Sequence, residues 1–551
     1  MKKIIVILAL TGAVFNGAIG QQQNASSLST KFDKVLGEQF RPDEPGVAVL
    51  VSKNGQVIYK KATGMANIEL NVPMQTDQIF RIGSITKQFT AVSILQLVEK
   101  GKLTLQDEIT KFIPDYPTQN NTITIEHLLT HTSGIQDFTA IKGNEKRNSI
   151  DYSPKENIDY FKNEPMRFAT GTRHEYSNSN YVILGYIIEQ LTGKTYGQYL
   201  EENIFKPLGM NNSSYASESR MIKNRAAGYT QGEKGIENAS YINMGKPYAA
   251  GAILSTVMDL FTWNQAMQSN KLLKKESFAR ALTRYKLLDG TEVNYGYGWR
   301  MGYVLESPNT WHGGLVNGFF SMAMYLPKED VYVVVLTNCD CKSPVSVTEK
   351  LAALAVGKPY DYKAMPVDNS ILTAYTGVYE NTKGQQTIIS SLDSQLYFQS
   401  GRAPKANIKA FQQEKFFFPN DPMITIEFIR NKNSADDKLV VHSRTANEVW
   451  TKTNKPIASK PEIKIDEKIL ETYTGEYEVN PDFSFIISKE QEKLFLKARG
   501  QEKVEIFAEA ANKFFLKVNG ALLEFVKDDA GKVIKAILTQ GGRQTDAKKI
   551  K

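Results

Sequence analysis

The last third of this 551-residue chain is written twice, and no other feature limits its fold as much. Leu372, Tyr375, Gly377, Tyr379 and Glu380 return 98 residues later as Leu470, Tyr473, Gly475, Tyr477 and Glu478. The same spacing carries Leu396-Tyr397-Phe398 onto Leu494-Phe495-Leu496, and Phe416-Phe417-Phe418 onto Phe514-Phe515-Leu516. Ile426-Glu427-Phe428 and Leu523-Glu524-Phe525 slip by one, to 97. A fixed internal period marks a duplicated structural unit. After Pro359 helical periodicity is scarce and strand-like runs dominate, so the unit is all-β. Short strands with open edges are a hazard unless the sheet closes on itself. Two small β-barrels are therefore expected, at 366–453 and 464–551, parted near Asn454–Pro461.

Ahead of the repeat the pattern is mixed. Val47, Val49 and Val51 alternate up to Asn54-Gly55, and Val57 and Tyr59 follow it. Asn-Gly between alternating runs is a strong hairpin signal. Phe319 to Leu326 and Val331 to Thr337 read as a second hairpin. Strands at both ends with helices between them predict an α+β domain: an antiparallel sheet flanked by helices. Residues 140–170 are polar and irregular and read as a flap over a cleft.

Three stretches of this region carry chemistry. From Ser84 the apolar positions Ile85, Phe89, Val92, Leu95 and Val98 recur at helical spacing, with Gly101 as a stop. Ser84 thus opens a buried helix, with Lys87 one turn on along the same face. A serine is a weak nucleophile until a base takes its proton, and a lysine can do so only where burial keeps it uncharged. Tyr176-Ser177-Asn178 lies in a Gly/Ser/Asn-rich loop, where a phenol can relay protons if its pKa falls beside a lysine. Trp311-His312-Gly313-Gly314-Leu315 reads as a strand, as does Tyr295-Gly296-Tyr297-Gly298-Trp299, whose glycines permit close backbone approach. Taken singly, each has a plainer reading: Ser84 as a helix cap beside a solvated lysine, Tyr176 as an aromatic plug in a turn.

Together, in this order, the three resemble the serine β-lactamase and penicillin-binding superfamily, in its class C-like branch, over residues 31–357. The runs Phe80 to Thr90, His127 to Gly134, Tyr176 to Gly185, Pro207 to Met210 and Tyr295 to Trp299 extend the likeness. The resemblance implies that Ser84 is acylated, with Lys87 and Tyr176 as the proton-transfer partners. Asn178, His312, Gly314 and Leu315 would bind substrate. The Ser84 and Leu315 backbone N–H groups would form the oxyanion hole, where losing one donor commonly costs about 10²–10³ in rate. Where many β-lactamases have Lys-Thr-Gly, this chain has His312-Gly313-Gly314. A histidine there predicts activity tied to His312 ionisation, with a limb near about pH 6–7. It weakens the case for efficient penicillin hydrolysis and looks like the D-aminopeptidases and esterases. Within that group the barrels resemble the lipocalin-like modules of D-aminopeptidases. They either narrow the active-site mouth or serve as stabilising appendages and a dimer surface.

The resemblance implies a serine hydrolase acting on small amides or peptides, D-aminopeptidase- or DD-peptidase-like. A carboxylesterase, or a slowly turning over β-lactam and peptidoglycan sensor, is the alternative. Substrates would be small peptides, amides or esters, with β-lactams or peptidoglycan fragments among them. No metal or organic cofactor is implied. His127 and His131 stand four apart, but no glutamate follows the first as a zinc helix would require. Lys2-Lys3 and an apolar run ending at Ala18-Ile19-Gly20 read as a cleaved export signal over 1–20, too short to anchor in a membrane. Export points to periplasm or medium. The formal charge of +8 is small for this length, and no Lys/Arg block marks a nucleic-acid binder. Cys339 and Cys341 could form a local bridge or stay as thiols; two cysteines make no disulfide framework.

Overall fold

The fold is taken from a computed structural model that describes residues 27–551 apart from 218, 359, 402, 431–436, 458–461, 481–482, 518–519 and 541–542. The expected export signal lies outside the described residues, as does part of the expected divide at 454–461. The chain splits between Tyr360 and Asp361 into two compact units.

The first unit is built on a six-stranded antiparallel sheet. Its strands are β1 (Val47–Lys53), β2 (Gln56–Thr63), β3 (Arg300–Val304), β4 (Ser307–Val316), β5 (Phe319–Leu326) and β6 (Val331–Thr337), in spatial order β3-β4-β5-β6-β1-β2. The turn between β1 and β2 places Asn54 and Gly55 at φ 52° and 70°, the conformation that favours Asn-Gly there. β1 buries Ala48 and Leu50 as well as its three valines. A strand covered on both faces shows no alternation of exposure, and helices do pack on β1 and β6. Sequence ends meet where β1 pairs β6, Val49 opposite Val335.

Among the helices of this unit are α1 (Thr86–Glu99), α2 (Asn178–Thr192), α3 (Val257–Gln268) and α4 (Val345–Ala355). α1 is buried on nearly every side, including Thr90 and Ser93. Those hydroxyls are satisfied internally, Thr90 by Ala249 O at 2.7 Å and Ser93 by Phe89 O at 2.8 Å. α1 ends at Lys100, with Gly101 at φ 67°, and α2 ends on Gly193 at the same φ.

Two expectations are corrected here. Residues 140–170 are not simply irregular. They hold a short turn of helix, Asn144–Arg147, and a helix, Pro154–Phe161, opened by a Ser153–Glu156 capping box and burying Ile158 and Phe161. Tyr295 to Trp299 is not a strand: it forms a loop, and β3 starts one residue later at Arg300. Its glycines do serve close approach. A Cβ on Gly298 would lie 2.8 Å from Lys87 O, so this loop presses on the start of α1.

The second unit contains two closed eight-stranded antiparallel barrels, with strands running from Gly377 to Lys452 and from Gly475 to Lys549. A short helix leads into each, Asn369–Tyr375 and Glu467–Tyr473. The repeat is visible in the packing. Tyr375 stacks on Phe428 with ring centroids 4.1 Å apart, and Tyr473 on Phe525 at 4.4 Å. Tyr379 donates to Tyr375 O, and Tyr477 to Tyr473 O, both at 2.8 Å. The slip from 98 to 97 leaves pairing intact: Phe416 faces Ile426 and Phe514 faces Leu523. The missing residue is lost from the connection between those strands.

Candidate active site

Ser84 sits in a single 3-10 turn, Gly83–Ile85, that runs directly into α1. Its side chain makes no helix-capping bond, so the plainer reading as a capping serine does not hold. The turn is pressed against β4. A Cβ on Gly83 would lie 2.9 Å from Leu315 N, and one on Gly314 would lie 2.0 Å from Ile82 O and 2.8 Å from Ser84 N. Only glycines allow that approach, and Gly83 also has φ 51°. Ser321 locks the contact, its hydroxyl 2.7 Å from Ile82 O and 3.2 Å from Gly314 O. The close approach at Gly83 and Gly314 brings the backbone nitrogens of Ser84 and Leu315 near one another.

Lys87 is fully buried. Its Nζ lies 2.8 Å from Asn178 Oδ1, 2.8 Å from Ala250 O and 3.0 Å from Ser84 Oγ. The Asn178 amide is oriented by Asp137, whose Oδ2 accepts from Nδ2 at 3.1 Å, so its oxygen faces Lys87. Two of the three contacts are therefore to atoms that only accept. They take two amine hydrogens and leave the third position of Nζ toward Ser84 Oγ. In the ammonium that position is a donor; in the neutral amine it is a lone pair that accepts the hydroxyl proton. Burial lowers the Lys87 pKa to about 7; Asp137 pulls it back up and Arg300 pushes it further down.

Tyr176 packs beside this pair, its ring centroid 4.8 Å from Lys87 Nζ. Its buried hydroxyl has no hydrogen-bond partner among the described residues. Burial raises the phenol pKa, a push that the nearby Ser84 hydroxyl only partly opposes. The expectation that this pKa falls beside a lysine is thus reversed, because burial of the phenol outweighs the groups that would lower it. Tyr176 is a neutral phenol with a proton to lend.

His312 needs the firmest correction. It is 2% exposed and does not line the cavity in front of Ser84. Its Nδ1 lies 2.6 Å from Gly313 O, so that nitrogen carries the hydrogen; its Nε2 accepts from the Tyr295 hydroxyl at 3.0 Å. Burial, then Arg300 and Lys87, push its pKa well below the usual histidine value. An imidazole buried beside Arg300 and Lys87 stays neutral, so it braces Tyr295 and does not titrate near pH 6–7. His312→Gln is expected to leave the acid limb of the kcat/KM profile where it is in the unsubstituted protein; a limb displaced by about one unit would restore the titrating role.

Two other histidines of this region hold the loops. His127 Nδ1 accepts from Thr124 N–H in a capping box, and His131 Nδ1 accepts from Ser177 N–H at 3.1 Å while its ring lies 4.3 Å from that of Tyr176. In each ring Nδ1 is taken up by a backbone N–H, which ties the histidine to its own loop. Cys339 and Cys341 are bridged, with Cα atoms 5.1 Å apart.

The cavity before Ser84 measures about 280 Å³, and Asn178, Lys246, Ala250, Leu315 and Asn317 also line it. Three participants had no sequence signal of their own. Asp137 orients Asn178. Ala250 supplies a main-chain acceptor. Arg300, on β3 opposite Trp311 of β4, holds its guanidinium 5.3 Å from the Tyr176 ring, 5.4 Å from Tyr295 and 5.4 Å from Trp311. Among the described residues that guanidinium has no carboxylate partner.

Residues 32–357 match the family model described as Beta-lactamase, and residues 459–549 match one described as Domain of unknown function (DUF3471). Penicillin-binding protein 4* of Bacillus subtilis (strain 168) is 26% identical over 441 residues, covering 75% of this chain and 96% of its own. Two solved structures are similar. One is the octameric penicillin-binding protein homologue from Pyrococcus abyssi (27% identity, TM-score 0.53, 77% of this chain and 99% of that one). The other is a D-stereospecific amidohydrolase from Streptomyces sp. (25% identity, TM-score 0.53, 60% and 99%).

Proposed function

The chain belongs to the Beta-lactamase family and is a serine hydrolase of that superfamily; we propose that it is an exported peptidase for small D-configured peptides with a free C-terminal carboxylate. Ser84 gives its proton to Lys87 and its Oγ bonds to the substrate carbonyl carbon. The resulting oxyanion accepts from the Ser84 and Leu315 N–H groups. As the carbon–nitrogen bond breaks, the leaving amine takes a proton relayed through Tyr176. Water then attacks the acyl-enzyme, returns a proton to the Lys87–Tyr176 pair, and releases the acid and free Ser84. The observation that carries this reading is the three-way seating of Lys87 Nζ, which leaves one position for Ser84 Oγ.

Arg300 supports the choice of peptide over simple ester. It offers a planar cation with no carboxylate partner among the described residues, beside Tyr176, on the side where the leaving group must collect its proton, and such a fork suits a carboxylate. The similarity to a D-stereospecific amidohydrolase and to a penicillin-binding protein supports D-configured substrates. The Cys339–Cys341 bridge supports an oxidising compartment, periplasm or medium. The test compares a peptide ending in D-alanyl-D-alanine with its C-terminally amidated twin. The free acid is preferred in kcat/KM, and Arg300→Gln cuts that preference by about 10–100-fold. Equal turnover of both forms, or turnover of p-nitrophenyl esters alone, would reject the peptidase.

A further inference from the structure

Lys246 is a second buried lysine on the active-site cavity, and the reaction has no use for it. It is 2% exposed, yet it lines the same cavity as Ser84. Its Nζ donates to Asn144 O at 2.6 Å and to Asn148 Oδ1 at 2.8 Å, both neutral acceptors. No carboxylate of the described residues pairs with it. An ammonium has three hydrogens, so one is unspent. Its backbone is pinned as well, with Asn157 Nδ2 donating to Lys246 O at 2.9 Å and Lys246 N–H donating to Asn243 O at 3.1 Å. The head group is therefore held in place and not folded away into solvent. Asn144 Oδ1, also on the cavity wall, is buried with no partner among the described residues.

A buried cation satisfied only by neutral oxygens is costly unless something negative arrives. Burial lowers the Lys246 pKa to about 8 and Arg147 pushes it the same way, while Glu145, exposed on the cavity rim, opposes them from beyond ion-pair distance. Which part of a substrate reaches Lys246 follows from the proton path. Tyr176, which serves the leaving group, does not line this cavity, so the space between Ser84 and Lys246 holds the acyl portion.

We propose that Lys246 is the specificity-determining residue of an acyl-side subsite that takes a carboxylate, with Asn144 Oδ1 accepting an N–H from the same group's neighbour where one is present. The proposal rests on the acyl-enzyme reading of Ser84. It narrows the substrate class to acyl groups that carry an acid at their far end.

The probes are p-nitrophenyl hydrogen glutarate and p-nitrophenyl valerate, which share a leaving group and an acyl chain length and differ only in the terminal carboxylate. Each forms an ester bond from Ser84 Oγ to the acyl carbon and expels p-nitrophenolate; water then releases the acid. The unsubstituted protein should favour the glutaryl ester in kcat/KM by about tenfold or more. In Lys246→Met and Lys246→Gln that ratio should fall to about one or below. If the unsubstituted protein handles both esters within about threefold, the proposal is overturned while Ser84 acylation, seen as an adduct by intact mass, still stands. A ratio that both variants preserve overturns it equally. If neither ester acylates Ser84, the hydrolase reading fails and the proposal with it.

Discussion

Ser84→Ala loses about 10⁶ in kcat against the D-alanyl-D-alanine peptide and forms no covalent adduct with it or with a fluorescent penicillin. The size of the effect comes from what the alanine removes and what it leaves. It removes the oxygen that bonds to the carbonyl carbon and the proton that Lys87 is placed to take. It leaves the cavity, the Ser84 and Leu315 N–H groups and Asn178, so substrate still binds and KM moves little. A residual rate about 10³ above water is expected from those groups alone. The fold should not suffer. Ser84 caps no helix, its side chain bonds Lys87, and alanine suits the turn entering α1. Equal melting temperatures would therefore accompany the lost activity. A kcat within tenfold of the unsubstituted protein, or an adduct on another residue, would remove Ser84 from the chemistry.

The parts of this site that could be read from sequence are those whose geometry is local. Ser84 and Lys87 are three apart at the start of a helix, and Tyr176 and Asn178 flank one helix start, so spacing alone brings each pair near. What spacing cannot convey is the environment. His312 carries the same residue type whether exposed or enclosed, and only its burial beside Arg300 and Lys87 makes it neutral. Arg300 becomes visible once the β3–β4 register sets it opposite Trp311, next to His312. Lys246 stands 98% buried in a polar stretch where nothing in the local pattern marks an interior position. The Tyr295 to Trp299 run misleads for a different reason. Its aromatic–glycine alternation has the period of a strand, but the glycines are there because Lys87 O and Ala281 O leave no room for a Cβ. In the barrels the duplication itself supplied a second copy of every signal, which is why their β character was plain without any long-range information.

Lys87→Met should be nearly as damaging as the serine change, with kcat down by about 10⁴ or more, and it should also change how the protein responds to pH. In the unsubstituted protein the base works only as the free amine. Because burial holds the Lys87 pKa at about 7, kcat/KM should climb as pH rises through about 7 and flatten above it. The limb belongs to Lys87, since His312 is held neutral and Tyr176 has its pKa pushed upward. Stability gives an independent reading of the same shift. An exposed lysine in the unfolded chain titrates near about 10.4, well above the folded value, so the unfolded state binds the extra proton between the two. Folding stability from this group is therefore lowest near neutral pH and rises toward about pH 10, by roughly 1.4 kcal/mol per unit. Methionine has no proton to bind, so unfolding curves for the two proteins should converge or cross in the direction of greater wild-type stability as pH increases from 7 to 10. A variant whose stability tracks the unsubstituted protein across that range would mean that Lys87 is charged in the fold. An ammonium at that position cannot take the Ser84 proton, and a different base would have to be found.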